Sequence, residues 1–224
     1  MLISPFELLT VALTTESCFI CGCAYGPLCK DCFETMSSDQ VSRCYMCNKL
    51  TKQNRVCPSC TSSLRRVWWA GPYIDAFKPL VTSMKLGRNR QVARALGTYL
   101  AELAPYLPED TLVVPIPTAP TRVRRRGFDQ SVILARHFAE ARQLSYGPVL
   151  RRISTVDQIG KRRSDRIAQM KHSFELKGNS AGKNVLLVDD VLTTGATLES
   201  AARLLRSAGA AHVDAVVIAR HLPK

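Results

Sequence analysis

The chain of 224 residues is 46% hydrophobic, enough for one full core with a small appendage. It has no run of about 18 apolar residues, which argues against a membrane-spanning helix. The formal net charge of +13 is lopsided. Residues 1–67 hold seven Lys/Arg against five Asp/Glu, while residues 120–174 hold thirteen against four (Asp129, Glu140, Asp157, Asp165). That balance suits anionic partners.

In chain order, residues 1–13 (MLISPFELLTVAL) are apolar but lack a basic start and run on towards Cys18 without a small-residue cleavage site. They read as a helix docked on the core or on the cysteine module, not as a signal peptide, and the expected compartment is the cytoplasm. Nine cysteines follow, and a reducing compartment points them to metal rather than to disulfides. Eight form four C-x-x-C pairs, Cys18/Cys21, Cys29/Cys32, Cys44/Cys47 and Cys57/Cys60, with Cys23 left over. Two such pairs supply four thiolates to one tetrahedral Zn²⁺, so two structural zinc ions with closed shells are expected. A short segment with few large apolar side chains cannot stabilise itself by burial, whereas zinc binding contributes about 10–16 kcal/mol. Spacing leaves the pairing open between neighbours in sequence and a crossed arrangement of first with third and second with fourth.

Composition changes near Val67, which divides a cysteine-rich module at 1–66 from a domain at 67–224. Residues 74–86 and 91–103 read as helices, the second with Leu96, Tyr99, Leu100 and Leu103 at helical spacing. Residues 111–116 form a short apolar strand, 130–143 a helix, and 151–173 a polar basic loop. A buried strand at 184–188, a helix at 197–208 and a buried strand at 213–219 complete the chain. Strand, helix, strand implies parallel pairing with right-handed crossovers, an α/β fold. Trp68 and Trp69 read as packing at the module junction. His137, His172, His212 and His221 show no ligand spacing.

Two segments carry chemistry. In Val185-Leu-Leu-Val-Asp189-Asp190-Val-Leu-Thr193-Thr194-Gly195-Ala196-Thr197, an apolar strand ends in twin acids and a Thr/Gly turn opens a helix. Free N–H groups and the positive end of that helix attract a phosphate, and the acids suit a sugar diol or Mg²⁺ held through water. No Walker A pattern occurs. In Val113-Val-Pro-Ile-Pro117, followed by Arg122, Arg124, Arg125, Arg126, Gly127, Phe128, Asp129 and Gln130, a stiffened turn presents arginines that can fork onto a pyrophosphate.

The first segment resembles the type I phosphoribosyltransferase fingerprint. The resemblance implies that Asp189 and Asp190 take the ribose hydroxyls of phosphoribosyl diphosphate (PRPP). Thr193, Thr194, Gly195, Ala196 and Thr197 would then take its 5-phosphate, with Mg²⁺ as companion. Enzymes acting on 6-oxopurines place an aspartate where Thr193 stands, so the turn is closer to the orotate and adenine types. The whole order of paired cysteines, Tyr73, Lys85, V-P-x-P, R-x-R-R-R-G-F-D-Q and VDDVLTTGAT resembles the ComF family, phosphoribosyltransferase-like proteins linked to DNA uptake in natural transformation. That likeness implies a type I phosphoribosyltransferase fold behind a double zinc ribbon with sequential pairing. It adds Arg122 and Lys85 as ligand contacts, and it makes Arg125 and Arg126, with the twin acids, catalytic. The implied function is Mg-dependent displacement of pyrophosphate at ribose C1. The alternative is a single-stranded-DNA-binding competence protein that uses PRPP only as a ligand or not at all, with single-stranded DNA or other competence proteins as partners. The basic loop matches the family at Arg152, Thr155, Gln158, Arg166 and Phe174. It departs at Lys161, Gln169 and Ser173, where Leu, Asn and Ala are usual.

Overall fold

The computed structural model describes residues 17–37, 41–74, 76–86, 89–153 and 173–221. The helix expected at 1–13 and most of the basic loop, including Thr155, Gln158, Lys161, Arg166, Gln169 and His172, lie outside the described residues.

A five-stranded parallel sheet runs in the order β1 (Val67–Pro72), β7 (His212–Arg220), β6 (Asn184–Leu192), β2 (Leu112–Pro115), β3 (Ser145–Tyr146). Its strands are nearly continuous apolar runs because helices or loops cover both faces, as parallel sheets require. Successive side chains alternate between the two sides. Trp68, Val113, Leu186, Val188, Val216 and Ile218 pack under α2 (Phe77–Leu86), α3 (Arg90–Leu103) and α5 (Gln130–Arg142). Trp69, Val114, Val185, Leu187, Ala215 and Val217 face α6 (Ala196–Ser207) on the other side. The junction tryptophans therefore sit inside a strand and point to opposite layers. A β4 (Leu150–Arg152) and β5 (Phe174–Leu176) pair, antiparallel, joins the second layer through Leu150 and Phe174.

Several boundaries differ from the sequence expectation. β1 was not expected; it forms because its backbone pairs with β7 from Val67↔Ala215 to Pro72↔Arg220. β6 does not stop at Val188: Asp189 pairs with Val217 and Val191 with Ala219, so the twin acids lie inside the strand. The arginine segment is itself a helix, α4 (Pro120–Arg126), with proline at its start and Gly127 at φ 84° closing it. Among its described residues the cysteine region contains one helix, α1 (Lys30–Ser37).

The two cysteine loops dock on different layers. Cys18, Phe19, Leu28, Cys29 and Phe33 join the helical layer of α2, α3 and α5, where Phe33 stacks on Tyr99 at 4.9 Å and Tyr99 Oη donates to Leu28 O at 2.9 Å. Tyr45 and Leu64 join the layer of α6. Among the described residues no helix is long and apolar enough to cross a membrane.

Candidate active site and cysteine centres

A cavity of about 390 Å³ opens at the carboxyl ends of β2, β6, β7 and β1, where open parallel sheets hold ligands. Its wall takes in Lys85, Arg122, Arg126 and Arg152 as cations and Asp189 and Asp190 as acids, with Thr193 and Thr197 from the turn.

Asp190 is buried, and each of its oxygens has a donor: Lys85 Nζ to Oδ1 at 2.7 Å, and Gln130 Nε2 to Oδ2 at 2.8 Å. Gln130 is oriented in turn by Arg126 Nη1, which donates to its Oε1 at 2.8 Å. Asp189 accepts from Ser131 Oγ at 3.2 Å and from the Asp190 amide at 2.8 Å. Burial, and then the neighbouring charge of Asp190, push the Asp189 carboxyl up to about 8, against the pull of the Asp190 amide, Lys85 and Ser131. Asp129 ties the two halves of the arginine loop together. It caps α5 at the Ser131 amide (3.0 Å) and accepts from both the amide and the hydroxyl of Thr118 (2.9 Å each).

The anion turn lies between β6 and α6. Gly195 has φ 79° and serves as the N-cap of α6, a conformation that favours glycine. The helix's first amides lack intrahelical acceptors, which makes this end receptive to an anion. Thr193 and Thr197 line the cavity, Gly195 is buried beside it, and Thr194 and Ala196 are exposed on the outer side of the turn.

Of the predicted arginines, Arg122 and Arg126 line the cavity, whereas Arg125 is exposed and stands outside its wall. Consecutive residues on a helix point about 100° apart, which sets Arg125 and Arg126 on different sides of α4.

Residues 123–223 match the model of the phosphoribosyl transferase domain. Competence protein ComFC of Streptococcus pneumoniae is 28% identical over 201 residues, covering 86% of this chain and 87% of that protein. ComFC of Bacillus subtilis is 28% identical over 206 residues (86% and 84%), and DNA utilization protein YhgH of Escherichia coli is 27% identical over 221 (87% and 97%). The chain is similar to ComF-type competence proteins over most of its length. Its core is the phosphoribosyltransferase-type parallel sheet with flanking helices.

The eight paired cysteines form two groups, Cys18, Cys21, Cys29 and Cys32, and Cys44, Cys47, Cys57 and Cys60, the sequential pairing. Within each group the sulfur atoms all lie within 4.8 Å of one another. Cys21 and Cys29 Sγ are 3.7 Å apart, and Cys47 and Cys57 Sγ are 3.4 Å apart. A tetrahedron with Zn–S near 2.3 Å has edges of about 3.8 Å, so each group could hold a zinc ion. Cys23 belongs to neither group.

Three features had no role assigned from the sequence, although Gln130 and Tyr73 stand within its motif order. Gln130 and Ser131 anchor the acids from the start of α5. Tyr73 and His221, with ring centroids 4.6 Å apart, line the cavity at the ends of β1 and β7. Arg220, 2% exposed, lies 4.5 Å over the Trp69 ring and donates to Tyr45 O at 2.8 Å and to Asn48 Oδ1 at 3.1 Å. The partners of these two bonds are neutral, and burial lowers the pKa of the Arg220 guanidinium from its usual value. The run of valines and alanines before Arg220 marks a buried strand, which is the one hint that this arginine would be enclosed.

Proposed function

We propose that the protein binds PRPP with Mg²⁺ in this cavity and, given an acceptor, transfers its phosphoribosyl group with release of pyrophosphate. The convergence of the anion turn, the twin acids and the arginine-bearing helix α4 on one cavity at the ends of β6 and β2 supports this reading. The 5-phosphate would meet the amides of the turn and the hydroxyls of Thr193 and Thr197. Asp189, with a partly exposed side of its carboxyl towards the cavity, would accept from the ribose diol. Asp190, already held by Lys85 and Gln130, would fix that side of the sugar. The pyrophosphate would lie towards Arg122 and Arg126. Mg²⁺, when bound with PRPP, neutralises charge on the leaving group. In the transfer the acceptor's lone pair forms a bond to C1 as the C1–O bond to pyrophosphate breaks through an oxocarbenium-like state. The arginines stabilise the charge that develops. The region 67–224 would carry this chemistry, and the cysteine region 1–66 would serve it with two structural zinc ions.

Titration calorimetry with PRPP·Mg²⁺ tests binding, and pyrophosphate release with candidate acceptors tests transfer. Absence of heat at millimolar ligand contradicts the reading.

The net charge of +13, and relatives named for competence and DNA utilization, favour a second activity at the same molecule: binding of single-stranded DNA. Arginine contacts to phosphates would make such binding fall steeply with salt. Anisotropy of a labelled oligonucleotide at two salt concentrations checks it, and salt-insensitive or absent binding rejects it.

A further inference from the structure

The second cysteine group and the anion turn touch. Tyr45 stands inside the Cys44-x-x-Cys47 pair, 150 residues from Gly195 in the chain. A Cβ placed on Gly195 would lie 2.7 Å from Tyr45 Cε2 and 3.5 Å from Leu192 Cδ1, so the aromatic ring fills the space behind the turn. Tyr45 does not line the cavity; it belongs to the apolar layer of Leu192, Leu198 and α6. From the same ring, the hydroxyl donates to Glu199 Oε2 at 3.2 Å and lies 2.8 Å from Ser62 Oγ. Glu199 sits in the first turn of α6, where its own amide donates to Gly195 O at 2.9 Å. Two further donors close on its carboxylate: Ser62 Oγ at 2.6 Å and the Ser63 amide at 2.9 Å. From below, Arg220 holds the Tyr45 carbonyl at 2.8 Å.

We propose that the second cysteine loop is a positioning element for the anion turn, acting through the Tyr45 ring behind Gly195 and through the grip of Tyr45, Ser62 and Ser63 on Glu199. A phosphate site built from backbone amides gains affinity when those amides are aligned before the ligand arrives, because no ordering is left to do on binding. Here part of the support comes from outside the turn's own stretch of chain, through Tyr45, Ser62 and Ser63. A loop pinned by four thiols supplies it from behind. The contacts described for the first cysteine loop run to α3 and β1 and not to the anion turn.

This inference rests on the PRPP reading, and the experiment separates the two. Full-length, zinc-loaded protein is titrated with PRPP·Mg²⁺, and separately with inorganic phosphate, as wild type and as Tyr45→Ala, Tyr45→Phe, Glu199→Ala and Tyr99→Phe. Zinc per chain is measured in each preparation. Tyr45→Ala and Glu199→Ala are expected to weaken PRPP·Mg²⁺ binding about tenfold, or about 1.4 kcal/mol. Tyr45→Phe, which keeps the ring, should recover most of that loss, and Tyr99→Phe should bind as wild type does. Zinc content should stay at the wild-type level. If the wild type binds and Tyr45→Ala binds equally well, the positioning role is wrong while the PRPP reading stands. If Tyr45→Ala sheds zinc, Glu199→Ala decides, since it lies outside the cysteine loop, and unchanged affinity there overturns the proposal. A wild type silent to both ligands overturns the PRPP reading and this inference with it.

Discussion

The cysteine loop over residues 18–32 and the loop over residues 44–60 present the same four-thiol geometry, yet they clamp opposite layers of one sheet. The first buries Leu28 and Phe33 in the core beside α3, and its contacts among the described residues run to that layer. The second reaches the anion turn itself through Tyr45 and the end of β7 through Arg220. A metal site of closed shell performs no chemistry, but what its loop leans on decides whether it matters beyond stability.

The largest effect separating the two loops should come from single thiol losses. Cys29→Ser and Cys57→Ser are each expected to lower zinc from two ions per chain to one, measured by elemental analysis, and both should lower the unfolding temperature. Only Cys57→Ser should also weaken PRPP·Mg²⁺ binding, by tenfold or more. Equal weakening in both variants would erase the distinction. Next in size is Arg220→Met. It strands the Tyr45 carbonyl and the Asn48 side chain, and with two bonds from a charged donor gone it should cost roughly 3 kcal/mol by denaturant titration. On the other layer, Tyr99→Phe deletes one bond to Leu28 O and should cost about 1 kcal/mol, with ligand affinity unchanged.

The asymmetry was only partly legible in the sequence. The runs at 184–188 and 213–219 announced buried parallel strands because both faces of such a sheet are covered, and the C-x-x-C spacing announced two metal groups. β1 was hidden because Trp-Trp-Ala-Gly-Pro resembles a turn, and only pairing with β7 makes it a strand. The end of β6 was misjudged because two acids interrupt the apolar run, although Lys85 and Gln130 hold Asp190 inside it. α4 has no apolar period in its seven residues, so its arginines read as a loop and Arg125 was grouped with Arg126. The contact of Tyr45 with Gly195 joins segments 150 residues apart, and no local pattern encodes it.

The smallest and most specific effect concerns protons. With its carboxyl raised to about 8, Asp189 holds a proton near neutrality in the free protein. The folded state then binds that proton more tightly than the unfolded chain does. Stability of the free protein should fall as pH rises from the ordinary carboxylate range to about 8, and Asp189→Asn should flatten that slope. If the ribose diol bonds to the carboxylate form, binding expels the proton. PRPP·Mg²⁺ affinity should then climb below that value by up to about tenfold per pH unit. Calorimetry in buffers of different ionisation enthalpy reads the released proton directly, and its absence would assign the diol elsewhere.

The structure of the protein with PRPP·Mg²⁺ bound is the most direct measurement. It should show the 5-phosphate within hydrogen-bond reach of the amides at residues 194–197, the sugar hydroxyls on Asp189, and the diphosphate towards Arg122 and Arg126. A phosphate found elsewhere, with the amides at residues 194–197 making no contact to the ligand, would contradict the account.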